Sequence, residues 1–223
     1  MKLLSLDCST SRCSLAFMER SDVVFELFWE SAASINANGK ARHESMIDQI
    51  EKARAETGWR WGDVEWFIAG RGPGNYSGLR AALLTVQALA APAQASVCAV
   101  SSMEAMALDL MGTNGLEAIA VIGDARRQSF WFADFELNKI KKGPAAWETV
   151  PHESAAHKLT EQLVFATPHW AETEWLRQQK PGVRWIAESQ YPSAPQIARL
   201  ALLREGEVGI REPLVPLYAH PAV

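Results

Sequence analysis

Four glycines fall within residues 70–78 of this 223-residue chain, between the apolar run Trp66-Phe67-Ile68-Ala69 and an apolar stretch at 79–91. Glycine at that density gives up backbone entropy on folding, so the structure must need it. Two needs suit a strand–loop–helix junction. Bare N–H groups at the start of a helix can face an anion. A turn without Cβ atoms can also let strand and helix pack closely. The standard phosphate and esterase signatures are not met. Leu79 follows Gly78 where a P-loop needs Lys, Asn75 stands where GxGxxG needs its last glycine, and no glycine lies two residues before Ser77.

The segments around this loop set the architecture. Residues 3–7, 14–19 and 23–29 read as three strands joined by tight turns, hence an antiparallel meander. A polar loop at 31–40 follows. Met46, Ile47, Ile50 and Ala53 have helical spacing, with Gly58 as the stop. Strands at 66–69 and 97–100 bracket the glycine loop and its helix, and Ser101 with Glu104 forms a capping box for the next helix. The order β-β-β-α-β-α-β-α supports a mixed sheet with helices on both faces. It resembles the ribonuclease-H-like lobes of actin-like and Hsp70-like ATPases. Beyond residue 105 the pattern is less regular. Strands fit 118–123, 129–136, 163–166 and 183–187, helices fit 170–179 and 195–204, and 138–144 reads as a polar loop. The tail, 213–221, carries three prolines and reads as extended. The expectation is an α/β chain of two lobes, 1–105 and 106–223, the second reduced.

Composition narrows the function. A formal net charge of −4 argues against gripping nucleic acid unaided, because that affinity comes from neutralised phosphates. Cys8, Cys13 and Cys98 are odd in number and form no CxxC, so they read as buried reduced thiols. The first apolar run breaks at Asp7, too early for a signal peptide. No stretch reaches the roughly 18–20 apolar residues of a membrane span. The expectation is a soluble, cytoplasmic protein.

The sequence GRGPGNYSGLR at 70–80 resembles the GRGPGSFTGLR signature of the TsaB (YeaZ) family, non-catalytic relatives of the TsaD proteins. LSLDCSTSRCSLA at 4–16 is similar to the family's opening, residues 122–131 to its DAR segment and aromatic strand, and 213–218 to its closing PxYLR. Ala219-His220 departs from that ending. The resemblance implies a subunit of the complex that forms N6-threonylcarbamoyladenosine at position 37 of ANN-decoding tRNAs. Its partners would be a TsaD-like catalytic subunit and a TsaE-like ATPase, with a homodimer as an alternative contact and tRNA touched only through the complex.

The same resemblance gives candidate residues. Asp7, Ser9, Thr10, Gly72, Pro73, Gly74, Ser77 and Asp124 would outline a nucleotide or phosphate cleft, vestigial or shared at an interface. ATP or ADP could lie there, with no cofactor required by this chain. His43, Met46, Ile47, Ile50, Leu79, Leu83 and Val86, on the first two helices, would meet the partner. TsaD proteins hold a metal with HxxxH, whose i, i+4 spacing puts both imidazoles on one helix face. Here Ile47 stands where His43 would need its mate, so no metal site and no catalysis by this chain are expected. His152 and His157 are five apart, not the four of HExxH, and at ~100° per residue they diverge around a helix. No Ser or Cys near a histidine supports peptidase chemistry. The competing reading is an independent actin-like ATPase or small-molecule kinase using Asp7 and Asp124 as Mg²⁺ carboxylates.

Overall fold

The computed structural model describes residues 1–31, 34–35, 41–42, 45–140, 142–208 and 213–220. Its elements are β1 (Lys2–Asp7), β2 (Arg12–Glu19), β3 (Asp22–Glu30), β4 (Ser34–Ile35), β5 (Ala41–Arg42), α1 (Met46–Thr57), β6 (Trp66–Gly70), α2 (Tyr76–Ala90), β7 (Ser96–Val100) and α3 (Ser102–Asn114). There follow β8 (Ala118–Arg126), β9 (Ser129–Glu136), α4 (Leu137–Ile140), β10 (Glu148–Pro151), α5 (His152–Lys158), β11 (Val164–Ala166), α6 (Glu174–Gln179), β12 (Arg184–Trp185) and α7 (Ala194–Val208).

Two five-stranded sheets share one plan. The first runs β3-β2-β1-β6-β7 and the second β10-β9-β8-β11-β12. In each, a three-stranded antiparallel meander passes into two parallel strands at the meander's first strand. β1 is buried from Leu3 to Asp7, as a strand covered on both faces must be, while β3 at the edge is mostly exposed. The second sheet keeps the plan with shorter parallel strands: β11 has 3 residues and β12 has 2.

Each face is closed by helices. Ile50 and Ala53 of α1 and Ala82, Leu83, Val86 and Ala90 of α2 join Leu4, Leu6, Leu15 and Phe17 in one core. The opposite face of the first sheet is covered by α7, whose Ile197, Ala198, Leu200 and Ala201 pack on Leu3, Met18, Ile68 and Val100. The last helix thus returns to the first sheet. α3 lies between the halves, with Ala105 on the first core and Met103, Met106, Leu110 and Met111 on the second. No helix among the described residues is long and apolar enough to cross a membrane.

Local details depart from the pattern reading where tertiary contacts compete. Ser101 caps α3 by accepting the Glu104 N–H at 3.4 Å, but the Glu104 carboxylate does not close the box. It turns inward to Arg204 of α7, Oε1 to Nη2 at 2.9 Å, in an almost fully buried pair. The loop read at 138–144 opens with the single turn α4. The helix read at 170–179 starts only at Glu174. β10 and α5 had no periodic signal: 4 and 7 residues are too short to show one. His152 opens α5 and stacks on Phe130 with centroids 4.4 Å apart, a packing role. The three cysteines are buried and form no disulfide.

Candidate functional site

The turn after β1 and the glycine loop after β6 meet at one end of the first sheet. Asp7, the last residue of β1, is fully buried. One carboxylate oxygen accepts from the Ser9 N–H (3.0 Å) and the Ser9 hydroxyl (2.7 Å). The other accepts from the Ser102 hydroxyl at 2.5 Å. That hydroxyl in turn accepts the Gly72 N–H at 3.0 Å, which ties the glycine loop to Asp7. Burial pushes the Asp7 carboxyl above its ordinary range, and the hydrogen bonds from Ser102 and Ser9 only partly offset this. The neighbouring Cys13 thiol, and then burial, push the Cys8 thiol up, leaving it a poor nucleophile.

Close packing accounts for the glycines. A Cβ on Gly74 would lie 1.9 Å from the Ser9 carbonyl oxygen, and one on Gly70 would lie 1.7 Å from the Asp7 carboxylate. The Asn75 N–H donates to the Ser9 carbonyl at 2.6 Å, which zips the two loops together. Close approach is thus one need these glycines meet, of backbone at Gly74 and of the Asp7 carboxylate at Gly70.

A cleft of about 700 Å³ opens beside this junction, between the ends of the two sheets. It brings together four predicted residues: Ser9, Thr10 and Gly74 from the first half and Asp124 from the second. Asp7, Gly72 and Pro73 are buried behind its wall, and Ser77 is exposed outside it. The Asp124 carboxylate is engaged by its own turn, through the Arg126 N–H at 2.8 Å and the Arg126 guanidinium at 3.1 Å. Pattern reading missed the rest of the lining, including Arg127, Trp131, His169, Tyr218 and His220. His169 arrives from the β11–α6 connection, and no spacing rule links it to Asp124, 45 positions earlier. Among the described residues no group of three or more His, Cys, Asp or Glu could hold a metal ion.

His169 accepts the Asp124 N–H on Nδ1 at 3.1 Å, so its neutral form is the one bonded. Burial lowers its pKa from 6.5, with Glu172 and Asp124 pulling the other way. An unfolded chain therefore binds this proton at higher pH than the folded one. The stability owed to neutral His169 is complete above pH 6.5 and is lost as pH falls through the folded pKa. Thermal melts of the wild type should lose more between pH 7 and pH 5 than those of His169→Asn, which keeps an acceptor near Nδ1. Parallel losses would mean that His169 titrates normally.

The β8–β9 turn on the cleft rim is strained. Arg126, Arg127 and Gln128 have φ of 65°, 51° and 57°, a left-handed run without glycine. A two-residue hairpin turn with positive φ favours Asn-Gly. Replacing Arg127-Gln128 by Asn-Gly should therefore stabilise the chain by about 1 kcal/mol. A lower urea midpoint in the double variant would contradict this.

The interface candidates divide by burial. Ile50, Leu79, Leu83 and Val86 lie inside the chain's own core at 2% exposure or less, so they present nothing to a partner. Met46 is half-buried and Ile47 is 52% exposed. His43 lies outside the described residues. The large aliphatic residue that α2 does expose is Leu84, at 63%. An all-round apolar helix does not reveal by spacing which side the sheet will cover.

Two same-order sheets closing on a cleft define an actin-like ATPase-fold protein. A family profile described as "TsaD: tRNA N6-adenosine threonylcarbamoyltransferase" matches residues 36–202. The chain belongs to this family, within its TsaB/YeaZ group. It is 25% identical over 210 residues to the tRNA threonylcarbamoyladenosine biosynthesis protein TsaB of Escherichia coli, covering 93% of this chain and 80% of that protein. The TsaB of Haemophilus influenzae is 28% identical over 142 residues, covering 63% of this chain but only 56% of that protein. YeaZ from Pseudomonas aeruginosa superimposes with a TM-score of 0.73 at 24% identity, covering 97% of this chain and 100% of that one. Component A of (R)-2-hydroxyglutaryl-CoA dehydratase from Acidaminococcus fermentans shares the fold at 9% identity, with a TM-score of 0.51 and coverage of 92% and 98%.

Proposed function

We propose that this chain is a TsaB-type accessory subunit in formation of N6-threonylcarbamoyladenosine at position 37 of ANN-decoding tRNAs. It docks and activates a TsaD-like catalytic subunit in the cytoplasm, with a TsaE-like ATPase as third partner and tRNA reached through the complex. A homodimer would use the same helix face. The observation that carries the docking step is the exposure of two large apolar side chains, Ile47 of α1 and Leu84 of α2, on helices that cover the same core. Apolar side chains this exposed on helices of one layer suit a partner surface. The chain contributes no catalytic group of its own. Both Asp7 oxygens are taken by Ser9 and Ser102, which disfavours an independent actin-type ATPase. ATP or ADP would sit in a cleft shared with partners.

The test is a reconstituted reaction. TsaD-like, TsaE-like and adenylate-forming components are run on tRNA with and without this chain, and modified adenosine is scored by mass spectrometry. Modification that depends on the added chain is the expected result. Modification independent of it, together with ATP hydrolysis by the isolated chain that Asp7→Ala abolishes, would overturn the reading.

A further inference from the structure

Residues 213–220 run as a strap across both halves of the molecule. On the first half, Arg71 Nη1 donates to the Pro213 carbonyl at 2.7 Å, and the Leu217 N–H donates to the Arg71 carbonyl at 2.7 Å. Leu214 packs on the core beneath α1 and α2. Tyr218 stacks on Tyr76, the first residue of α2, with centroids 4.7 Å apart. On the second half, the Thr149 hydroxyl donates to the Ala219 carbonyl at 2.9 Å, and His220 Nε2 lies 3.2 Å from the Ser129 hydroxyl. Ala219 packs against the second core. Between these anchors, Tyr218, Ala219 and His220 form one wall of the cleft.

We propose that residues 213–220 are a latch that holds the two halves of the cleft together, and that contact at the head of α2 releases it. Two of the anchors lie at the surface, Tyr76 at 44% exposure and Thr149, whereas Arg71 and Ser129 are buried. Loss of the surface contacts loosens such a segment locally while the sheets stay intact. The position of the trigger follows from helix geometry. Tyr76, Arg80 and Leu84 are spaced i, i+4, i+8, so they form one exposed stripe on α2. Arg80 lies 5.2 Å from the Tyr76 ring centroid and donates to the Tyr76 hydroxyl at 2.5 Å, so it bears on the same ring that the strap stacks on. A chain seated on Leu84 would reach this stack. The trigger rests on the docking reading above, whereas the latch rests only on contacts within this chain.

Hydrogen–deuterium exchange of the full chain tests both parts. Tyr218→Ala removes the stack, and Thr149→Val removes one surface hydroxyl at little risk to the fold. Each should speed exchange of residues 213–220, and of the facing turn at 124–128, about three- to tenfold, the weight of one aromatic pair or hydrogen bond. Amides of β1 and β6 should keep wild-type protection. Faster exchange in the strap with no change at 124–128, in either variant, would overturn the latch. Saturating TsaD-like subunit should reproduce the faster exchange in wild type. Unchanged strap protection in a complex that forms would overturn the trigger. Failure to form a complex would instead count against the docking reading, and the two variants would still decide the latch.

Discussion

Arg204→Met should destabilise the chain by about 3–5 kcal/mol, read as a drop in the urea midpoint. Arg204 is 1% exposed and holds α3, α7 and the α4–β10 connection in one network. Its guanidinium donates to both Glu104 oxygens, at 3.2 and 2.9 Å, and to the carbonyls of Ile140 (3.0 Å) and Gly143 (2.9 Å). Removing it leaves a carboxylate at 2% exposure with the Ala145 N–H as its remaining bonded donor among these contacts. An uncompensated buried charge is the expensive part, more than the lost attraction. The double variant Glu104→Leu, Arg204→Met should therefore recover much of the loss. If the single and double variants were equally unstable, packing and carbonyl satisfaction would be the controlling factors.

The second large effect separates two neighbouring leucines. Leu83→Asp should cost at least about 3–5 kcal/mol and leave little folded protein, because it puts a carboxylate into the core of the first sheet. Leu84→Asp should leave the melting temperature within a degree or two, because that side chain is 63% exposed. It should nevertheless weaken capture of a TsaD-like subunit. Circular dichroism melts and a binding titration on both variants check this. A folded Leu83→Asp would place that residue outside the core. A Leu84→Asp chain that binds normally would remove α2 from the docking surface.

This pair also shows where pattern reading stops. Periodicity located α2, and its largely apolar composition gave its depth, since both depend on neighbours along the chain. Leu83 and Leu84 are equivalent in such a pattern. Which of them meets Val86, Ile50 and the sheet depends on how α2 is rolled onto β6, a contact between segments distant in sequence. The same limit applies to the glycine loop. Its density showed that Cβ atoms were unwelcome, and only the 1.9 Å approach to the Ser9 carbonyl showed what excludes one at Gly74.

The sequence by itself determined the order of the longer elements up to α3, the antiparallel meander, the mixed first sheet and the family resemblance carried by residues 70–80. The elements among these rest on local preference: alternation, helical spacing and capping. The resemblance implied a second, reduced lobe, and tertiary structure alone decided its strand order and the return of α7 to the first sheet. It also set Glu104 against Arg204, 100 positions away, rather than in its own capping box. The cleft belongs to that second class. His169, Tyr218 and His220 come to Asp124 and Thr10 from separate connections, and no spacing rule reaches across them. Local sequence fixes what each segment prefers. Burial of polar groups, which must find partners wherever the chain brings them, fixes which segments meet.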